Sequence, residues 1–330
     1  MLALHRNENG YGLSPLLRAL VERAHDAIGC FPHDEVPQLC RMLARYFHLP
    51  PEQVVCAAGS TEILCRSLLQ LATIPNIRLL YFSPASMALA QFKLEGMPRM
   101  PLALDAALSA DLAGLRLKRE QHRGPAVVYL SQPNCYTGEL INRERLYDWI
   151  AAAGDATYFV LDEAYMEFVP DSRQHSLTEM LAGCTHKLLV LRTFSKAYGL
   201  AGLRVGYGLM SNGWLQHPTK LDSLCTLSVF GVRAALEAFE DKQWLMHSMQ
   251  LLEVSRVLLL EGLAALQLAC YSGPVNFVLH ALPGDAERFL SHLYNYGVRV
   301  LLPEGLDGWC RVTVGRPSEV SYYLDVLRRF

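Results

Sequence analysis

The 330-residue sequence predicts an α/β protein, with a large domain built on a mostly parallel sheet flanked by helices and a small α+β domain. Three observations carry this. Short runs that are apolar throughout recur along the first two-thirds of the chain. Amphipathic helical stretches separate most of them. After about residue 225 the pattern changes to a long helix followed by alternating segments. Strands buried on both faces read as continuous apolar runs, the signature of a parallel sheet covered by helices.

The runs, in order, are "QVVCAA" (53–58), "IRLLYF" (77–82), "AVVYLS" (126–131), "YFVLDE" (158–163), "KLLVLRT" (187–193) and "VGYGLM" (205–210). In the helix after the first, "STEILCRSLLQLA" (60–72), Ser60 is a natural N-cap, and Ile63, Leu64, Ser67, Leu68 and Leu71 share one face. "NRERLYDWIAAAG" (142–154) is a second such helix. Residues 228–266 read as long helix broken near Asp241, and "PVNFVLHAL" (274–282), "GVRVLL" (297–302) and "WCRVTVG" (309–315) read as strands, with a helix between and another at the end. The expected boundaries are an N-terminal arm at 1–28 that joins the small domain, a large domain at 29–225 and the small domain proper at 226–330.

A formal charge of −2, with no long Lys/Arg run, gives no electrostatic case for nucleic acid. No uninterrupted apolar stretch is long enough to span a bilayer. The opening "MLALHRNENGYG" turns polar too soon for a secretory signal. Nine cysteines without repeated spacing fit free thiols in a reducing compartment, and the eleven histidines form no metal-ligand spacing. The expectation is a soluble, cytoplasmic protein that holds no metal.

Open parallel sheets bind ligands outside the carboxyl ends of their strands. Those ends carry Gly59-Ser60-Thr61, Asn134, Asp162 with Tyr165, and Ser195-Lys196. Gly59-Ser60-Thr61 lies between strand and helix, where backbone N–H groups and hydroxyls can cradle a phosphate, although most such junctions are plain turns. Asp162 taken alone reads as an ordinary helix cap or a solvated strand end. Lys196 is one of six lysines against twenty-four arginines, and it precedes the small, apolar "AYGLAGL". Burial there disfavours the ammonium and leaves a nucleophilic amine at neutral pH.

Together these segments closely resemble the fold type I pyridoxal-phosphate enzymes, and among them the histidinol-phosphate aminotransferase family. "TFSK" (193–196) followed by "GLR" (202–204) is the most specific signal. "NENGYG" (7–12), "AGSTE" (58–62), "VLDEAYMEF" (160–168) and "WCRVTVG" (309–315) extend the likeness over nearly the whole chain. The resemblance implies pyridoxal 5'-phosphate as cofactor. Lys196 would hold its aldehyde covalently and move the proton between substrate Cα and cofactor C4′. Asp162 would pair with the pyridine nitrogen, an attraction of about 4 kcal/mol before desolvation at about 4 Å and an effective dielectric of ~20. Tyr165 would reach the ring hydroxyl. Gly59, Ser60, Thr61, Thr193, Ser195 and Arg204 would hold the phosphate, Arg204 being drawn inward by its apolar surroundings. Arg311 would take the substrate carboxylate, and Asn9 and Tyr11 of the arm would close over the substrate.

Five segments depart from the family pattern. Cys135 stands where an asparagine is expected, so Asn134 could serve only if the loop slips by one residue. Phe31 replaces the tyrosine that reaches the partner subunit's cofactor. "PASMAL" (84–89) lacks the stacking aromatic, "CTLS" (225–228) replaces a Tyr-Asn-Val-Asn, and Leu301 replaces an arginine that would face the remote end of the substrate. The resemblance therefore implies a homodimeric aminotransferase acting on an amino acid and a 2-oxo acid, recruited to a biosynthetic pathway other than histidine's. Two rivals stand beside it: an amino-acid decarboxylase similar to threonine-phosphate decarboxylase, and a binding or regulatory protein that keeps the fold without turnover.

Overall fold

The computed structural model describes residues 1–22, 29–92, 94–215 and 227–330. In chain order its strands are β1 (Leu2–Ala3), β2 (Val54–Ala57), β3 (Arg78–Ser83), β4 (Arg99–Ala103), β5 (Ala126–Ser131), β6 (Thr157–Asp162), β7 (Lys187–Thr193), β8 (Gly206–Met210), β9 (Cys270–Tyr271), β10 (Phe277–Ala281), β11 (Val298–Arg299) and β12 (Trp309–Thr313). Seven of them form one sheet in the order β2-β8-β7-β6-β5-β3-β4. Neighbours from β7 to β4 are parallel, whereas β8 runs antiparallel to both β7 and β2.

Every apolar run in the large domain forms a strand of this sheet. Alternation along each strand serves two cores at once. On β5, Ala126, Val128 and Leu130 face one cluster while Val127 and Tyr129 face the other. On β6, Phe159 and Leu161 share the first face, and Tyr158 and Val160 the second. Strand β4 is absent from the sequence reading, because "RMPLA" is a half-exposed edge strand with a proline and lacks the buried pattern.

The helix after β2 spans Ser60–Leu71 and buries the five predicted residues. Its cap is Gly59, not Ser60. The turn out of β2 requires φ = 88° at that position, a conformation suited to glycine, so Ser60 becomes the first helical residue.

The predicted break near Asp241 is real: helices span Val229–Glu240 and Lys242–Ala265, and the Asp241 side chain accepts from the Trp244 N–H to cap the second. The first of these packs Val232, Ala235 and Phe239 into the large-domain core. The second, with Leu252, Leu259 and Leu263, covers a separate core with β10, β12 and the C-terminal helix Pro317–Arg328. By packing, the change of core therefore falls inside the second helix, between Leu245, which still packs on the first core, and Leu252. In the arm, β1 pairs in parallel with β11, and Leu4 is buried in that second core. Cys225 and Thr226 of the "CTLS" segment lie outside the described residues.

Candidate active site

The shared direction of β2, β5, β6 and β7, set for β2 by its two antiparallel steps through β8, brings their ends to one edge of the sheet, and the small domain and the arm close over it. Lys196, two residues past Phe194 in the turn after β7, is half-buried. Its Nζ donates to the Arg6 carbonyl at 2.7 Å and sits 5.5 Å from the centre of the Tyr165 ring. Burial, then the nearby Arg311 guanidinium, lowers its pKa to about 8, against the pull of Glu8 and Asp162. A desolvated amine beside a cation is the setting of a nucleophilic lysine.

Asp162 closes β6 and is 9% exposed. It accepts from the Tyr129 hydroxyl at 2.6 Å and from the Ala164 N–H at 3.2 Å. Burial raises its pKa, opposed by those two hydrogen bonds and by Lys196. Tyr165 is buried against Phe277, ring centres 5.3 Å apart, and its hydroxyl accepts from Asn7 Nδ2 at 2.9 Å. Burial pushes its pKa up to about 12, so it stays protonated.

Gly59, Ser60 and Thr61 meet Arg204 at the start of the helix. A Cβ on Gly59 would lie 2.6 Å from Arg204 Nη2, so the guanidinium occupies the space that a side chain would fill. Arg204 also donates to the Ser195 hydroxyl at 3.4 Å and the Ala201 carbonyl at 3.1 Å. The apolar surroundings do not draw it inward: Arg204 is exposed, carried out by a left-handed backbone of φ = 54°. Thr193 turns away from the cradle, its buried hydroxyl accepting from the Ser195 N–H at 3.0 Å and thereby holding the turn.

Gly206 on β8 makes this corner possible, since a Cβ there would lie 2.2 Å from the Ser60 nitrogen. Gly206→Ala must push the helix start off the sheet. We expect at least a tenfold weaker affinity for pyridoxal 5'-phosphate, measured by titrating the apo-protein, because ångström-scale misplacement of a binding group costs that much or more.

Arg311 of β12 is buried, its Nη1 donating to the Cys135 carbonyl at 2.8 Å and its Nη2 to the His5 carbonyl at 3.1 Å. Its Nε is buried without a protein partner. Cys135, also buried, has its thiol pKa pushed up to about 12, chiefly by burial, and so is a neutral group beside Asp162 and Arg311. Asn134 shows no slip toward the site. Its side-chain oxygen accepts from the N–H groups of Tyr136 and Thr137 and shapes the turn.

The arm reaches the site through a residue that sequence reading passed over. Asn7 is fully buried in a left-handed conformation. Its amide holds Tyr165, its N–H meets the Thr313 hydroxyl at 2.9 Å, and its carbonyl accepts from Asn276. Asn9 instead donates to the Ala197 carbonyl beside Lys196. Tyr11 points away, its hydroxyl within 2.7 Å of the Leu251 carbonyl and 2.5 Å of the Ser255 hydroxyl on the long helix. The pair does not close over the substrate space together, and nothing in "NENGYG" distinguishes Asn7 from Asn9 before the fold is known. Phe31 is 74% exposed beside His33. Leu301 bridges to Arg311 through the backbone and packs with Cys135, Tyr136 and Trp309.

The family model of the class I and II aminotransferases matches residues 2–327. The chain belongs to the class I and II aminotransferases. These are pyridoxal-phosphate-dependent enzymes. A histidinol-phosphate aminotransferase of Haloferax volcanii is 31% identical over 336 residues, covering 99% of this chain and 88% of that protein. A crystal structure from Erwinia carotovora atroseptica, provisionally named a histidinol-phosphate aminotransferase, superposes with a TM-score of 0.92 at 28% identity, over 100% of this chain and 95% of that one. The histidinol-phosphate aminotransferase of Sinorhizobium meliloti, solved with pyridoxal-5'-phosphate, shares the fold with a TM-score of 0.87 at 24% identity, over 99% and 91% of the two chains. The aminotransferase cofactor fits the residues present here. The first-turn N–H groups and the Arg204 fork, which the missing side chain of Gly59 lets approach the helix start, suit a phosphate, and the desolvated amine of Lys196 suits an aldehyde. Among the described residues no helix is long and apolar enough to cross a membrane.

Proposed function

We propose that this aminotransferase exchanges an amino group between an amino acid and a 2-oxo acid, holds its cofactor through Lys196, and serves a biosynthetic pathway other than histidine's. The observation that carries the reading is the meeting of Lys196, Asp162, Tyr165 and Arg311, from the ends of β6 and β7 and from β12, at one edge of the sheet.

Bound pyridoxal 5'-phosphate supplies an electron sink for the bond cleaved at the substrate's Cα. The protein's residues do the rest. Gly59, Ser60, Thr61, Ser195 and Arg204 hold the phosphate, with Thr193 bracing Ser195. Asp162, whose ionised form the hydrogen bonds from Tyr129 and Ala164 favour against the opposing effect of burial, would face the pyridine nitrogen and favour its cationic form. Tyr165 donates to the ring hydroxyl, oriented by Asn7. Lys196, whose pKa of about 8 lies well below that of an ordinary lysine, is more readily available as a free amine near neutral pH and can take the proton from Cα. Arg311, preset by two backbone carbonyls, offers Nε and its remaining hydrogens to the substrate carboxylate.

The apolar group of Leu301, Tyr136, Leu306 and Trp309 lies next to Arg311. Such a lining favours a side chain less charged than a phosphate ester, which supports a substrate other than histidinol phosphate. In a homodimer, the exposed Phe31 would face the partner's site without a hydroxyl to offer its phosphate.

The test is a panel of amino acids added singly to the yellow holoenzyme, followed by a panel of 2-oxo acids. An uncharged or apolar amino acid should bleach the visible band fastest, and a 2-oxo acid should restore it. Fast turnover with histidinol phosphate would overturn the pathway assignment. Release of carbon dioxide with no need for an oxo acid would make the enzyme a decarboxylase instead.

A further inference from the structure

We propose that Tyr129, backed by Ser86, is a positioning residue that holds the Asp162 carboxylate ionised and aimed at the cofactor's ring nitrogen. The inference rests on the placement of Asp162 given above. Tyr129 sits in the middle of a buried strand, and the sequence shows nothing but one more apolar position there.

Register brings the pair together. Ser131 of β5 lies opposite Asp162 of β6, and Tyr129 lies opposite Val160. Tyr129 and Asp162 therefore project from the same face of adjacent strands, one pleat apart, near enough for a long side chain to reach. The Tyr129 hydroxyl is 2.6 Å from Asp162 Oδ2 and 2.7 Å from Ser86 Oγ. Tyr129, Ser86 and Asp162 are 2%, 8% and 9% exposed.

The direction of the chain follows from its end. An ionised carboxylate only accepts, so Tyr129 donates to Asp162 and must accept from Ser86. Ser86 Oγ in turn accepts from the Leu89 N–H at 3.4 Å, in the first turn of the short helix Met87–Gln91. Each donor thus points toward Asp162, and such aligned bonds polarise one another. "PASMAL", which lacks the aromatic expected there, contributes the serine that anchors this chain.

Other titratable or charged groups face the same carboxylate. Cys135 approaches from the turn after β5, Tyr165 from the loop after β6 and Lys196 from the turn after β7. Arg311 of β12 faces the last three. The neutral thiol and phenol carry no charge for Asp162 to use, and Arg311 is engaged by Cys135 and His5. Burial, followed by the charge of Asp162, holds the Tyr129 phenol well above its ordinary pKa, so it remains a donor throughout the working range.

The full-length protein is stripped of cofactor and titrated with pyridoxal 5'-phosphate as wild type, Tyr129→Phe, Ser86→Ala, Asp162→Asn and the Tyr129→Phe/Asp162→Asn double variant. The pH midpoint of each visible band and the apo-protein melting temperature are recorded. A hydrogen bond to a buried charge supports an expected affinity loss of about tenfold for Tyr129→Phe, and a smaller loss in the same direction for Ser86→Ala. A less cationic ring makes the lysine-bound nitrogen easier to protonate, so the band midpoint should rise in both. In the Asp162→Asn background the Tyr129 substitution should change affinity by less than about twofold, because the group through which it acts is gone.

An undiminished Tyr129 effect in that background would overturn the inference, as would wild-type affinity and midpoint in Tyr129→Phe. If Tyr129→Phe does not fold, an unshifted midpoint in a normally melting Ser86→Ala overturns it equally. Wild-type behaviour of Asp162→Asn alone would instead sink the underlying placement of Asp162, which separates the two failures.

Discussion

Lys196→Ala is expected to reduce amino-group exchange at least about 10⁴-fold, the upper end of what one general acid–base group contributes, with covalent attachment of the cofactor lost as well. Of the other lysines described, Lys118 and Lys187 bond the carbonyls of Pro101 and Asp155, and Lys242 lies over the Phe239 ring. Each is committed elsewhere. The variant should still bind pyridoxal 5'-phosphate through the Arg204 cradle, so its loss belongs to chemistry and not to folding. Added methylamine should restore part of the activity, whereas Lys196→Arg should restore none, because a guanidinium cannot release its proton at working pH. A second expectation concerns pH. With a pKa of about 8, Lys196 in the apo-protein should capture pyridoxal 5'-phosphate faster as pH rises from 7 and level off above about 9. An ordinary exposed lysine would keep accelerating to about pH 10. A capture rate still climbing steeply between pH 9 and 10 would contradict the desolvated setting.

Sequence and structure agree where a residue's role depends on its own strand. The two-sided apolar runs became the central sheet because burial on both faces leaves no other composition open to a strand. Asp162 and Lys196 are legible as candidates only in combination: a charge at the sheet's carboxyl edge marks the place, but alone it reads as a cap or a solvated end, and the surrounding motifs supply the assignment. Arg204 was legible by position but not by exposure, since a left-handed residue swings its stem into solvent while the fork returns over Gly59. What stayed hidden depends on pairing. Tyr129 acquires a partner only through the β5–β6 register, and Asn7 only through the docking of the arm on β12 and Tyr165. Neither relation has a local signal, because both partners lie far away in sequence. Edge strand β4 escaped for the opposite reason: its half-exposed, proline-bearing pattern is that of a loop.

The largest stability effect is expected at a pair adjacent to the chemistry in sequence yet outside it. Glu163 follows Asp162, Arg192 precedes Thr193, and both side chains are buried. Arg192 Nη2 lies 2.6 Å from Glu163 Oε2, and its Nη1 lies 2.9 Å from Glu167 Oε1. Ser176 completes the cluster, donating to Glu163 at 2.8 Å and lying 3.2 Å from Arg192 Nη2. Burial alone would push the guanidinium pKa down, but the two carboxylates hold it above its usual value; Glu163 is raised by burial, with Arg192 pulling it back. Desolvation offsets much of the pair's attraction, so the intact pair adds little net stability, while an orphaned member is costly. Arg192→Leu should lower unfolding stability by about 3–5 kcal/mol, seen as an earlier urea midpoint. Adding Glu163→Gln should recover part of that loss by removing the stranded charge. The pair also ties the carboxyl end of β6 to that of β7, the two ends that present Asp162 and Lys196. Arg192→Leu should therefore shift the cofactor's visible band in the fraction that remains folded. A stability loss below about 1 kcal/mol, the scale of an exposed ion pair, would show that the cluster is solvated and not buried.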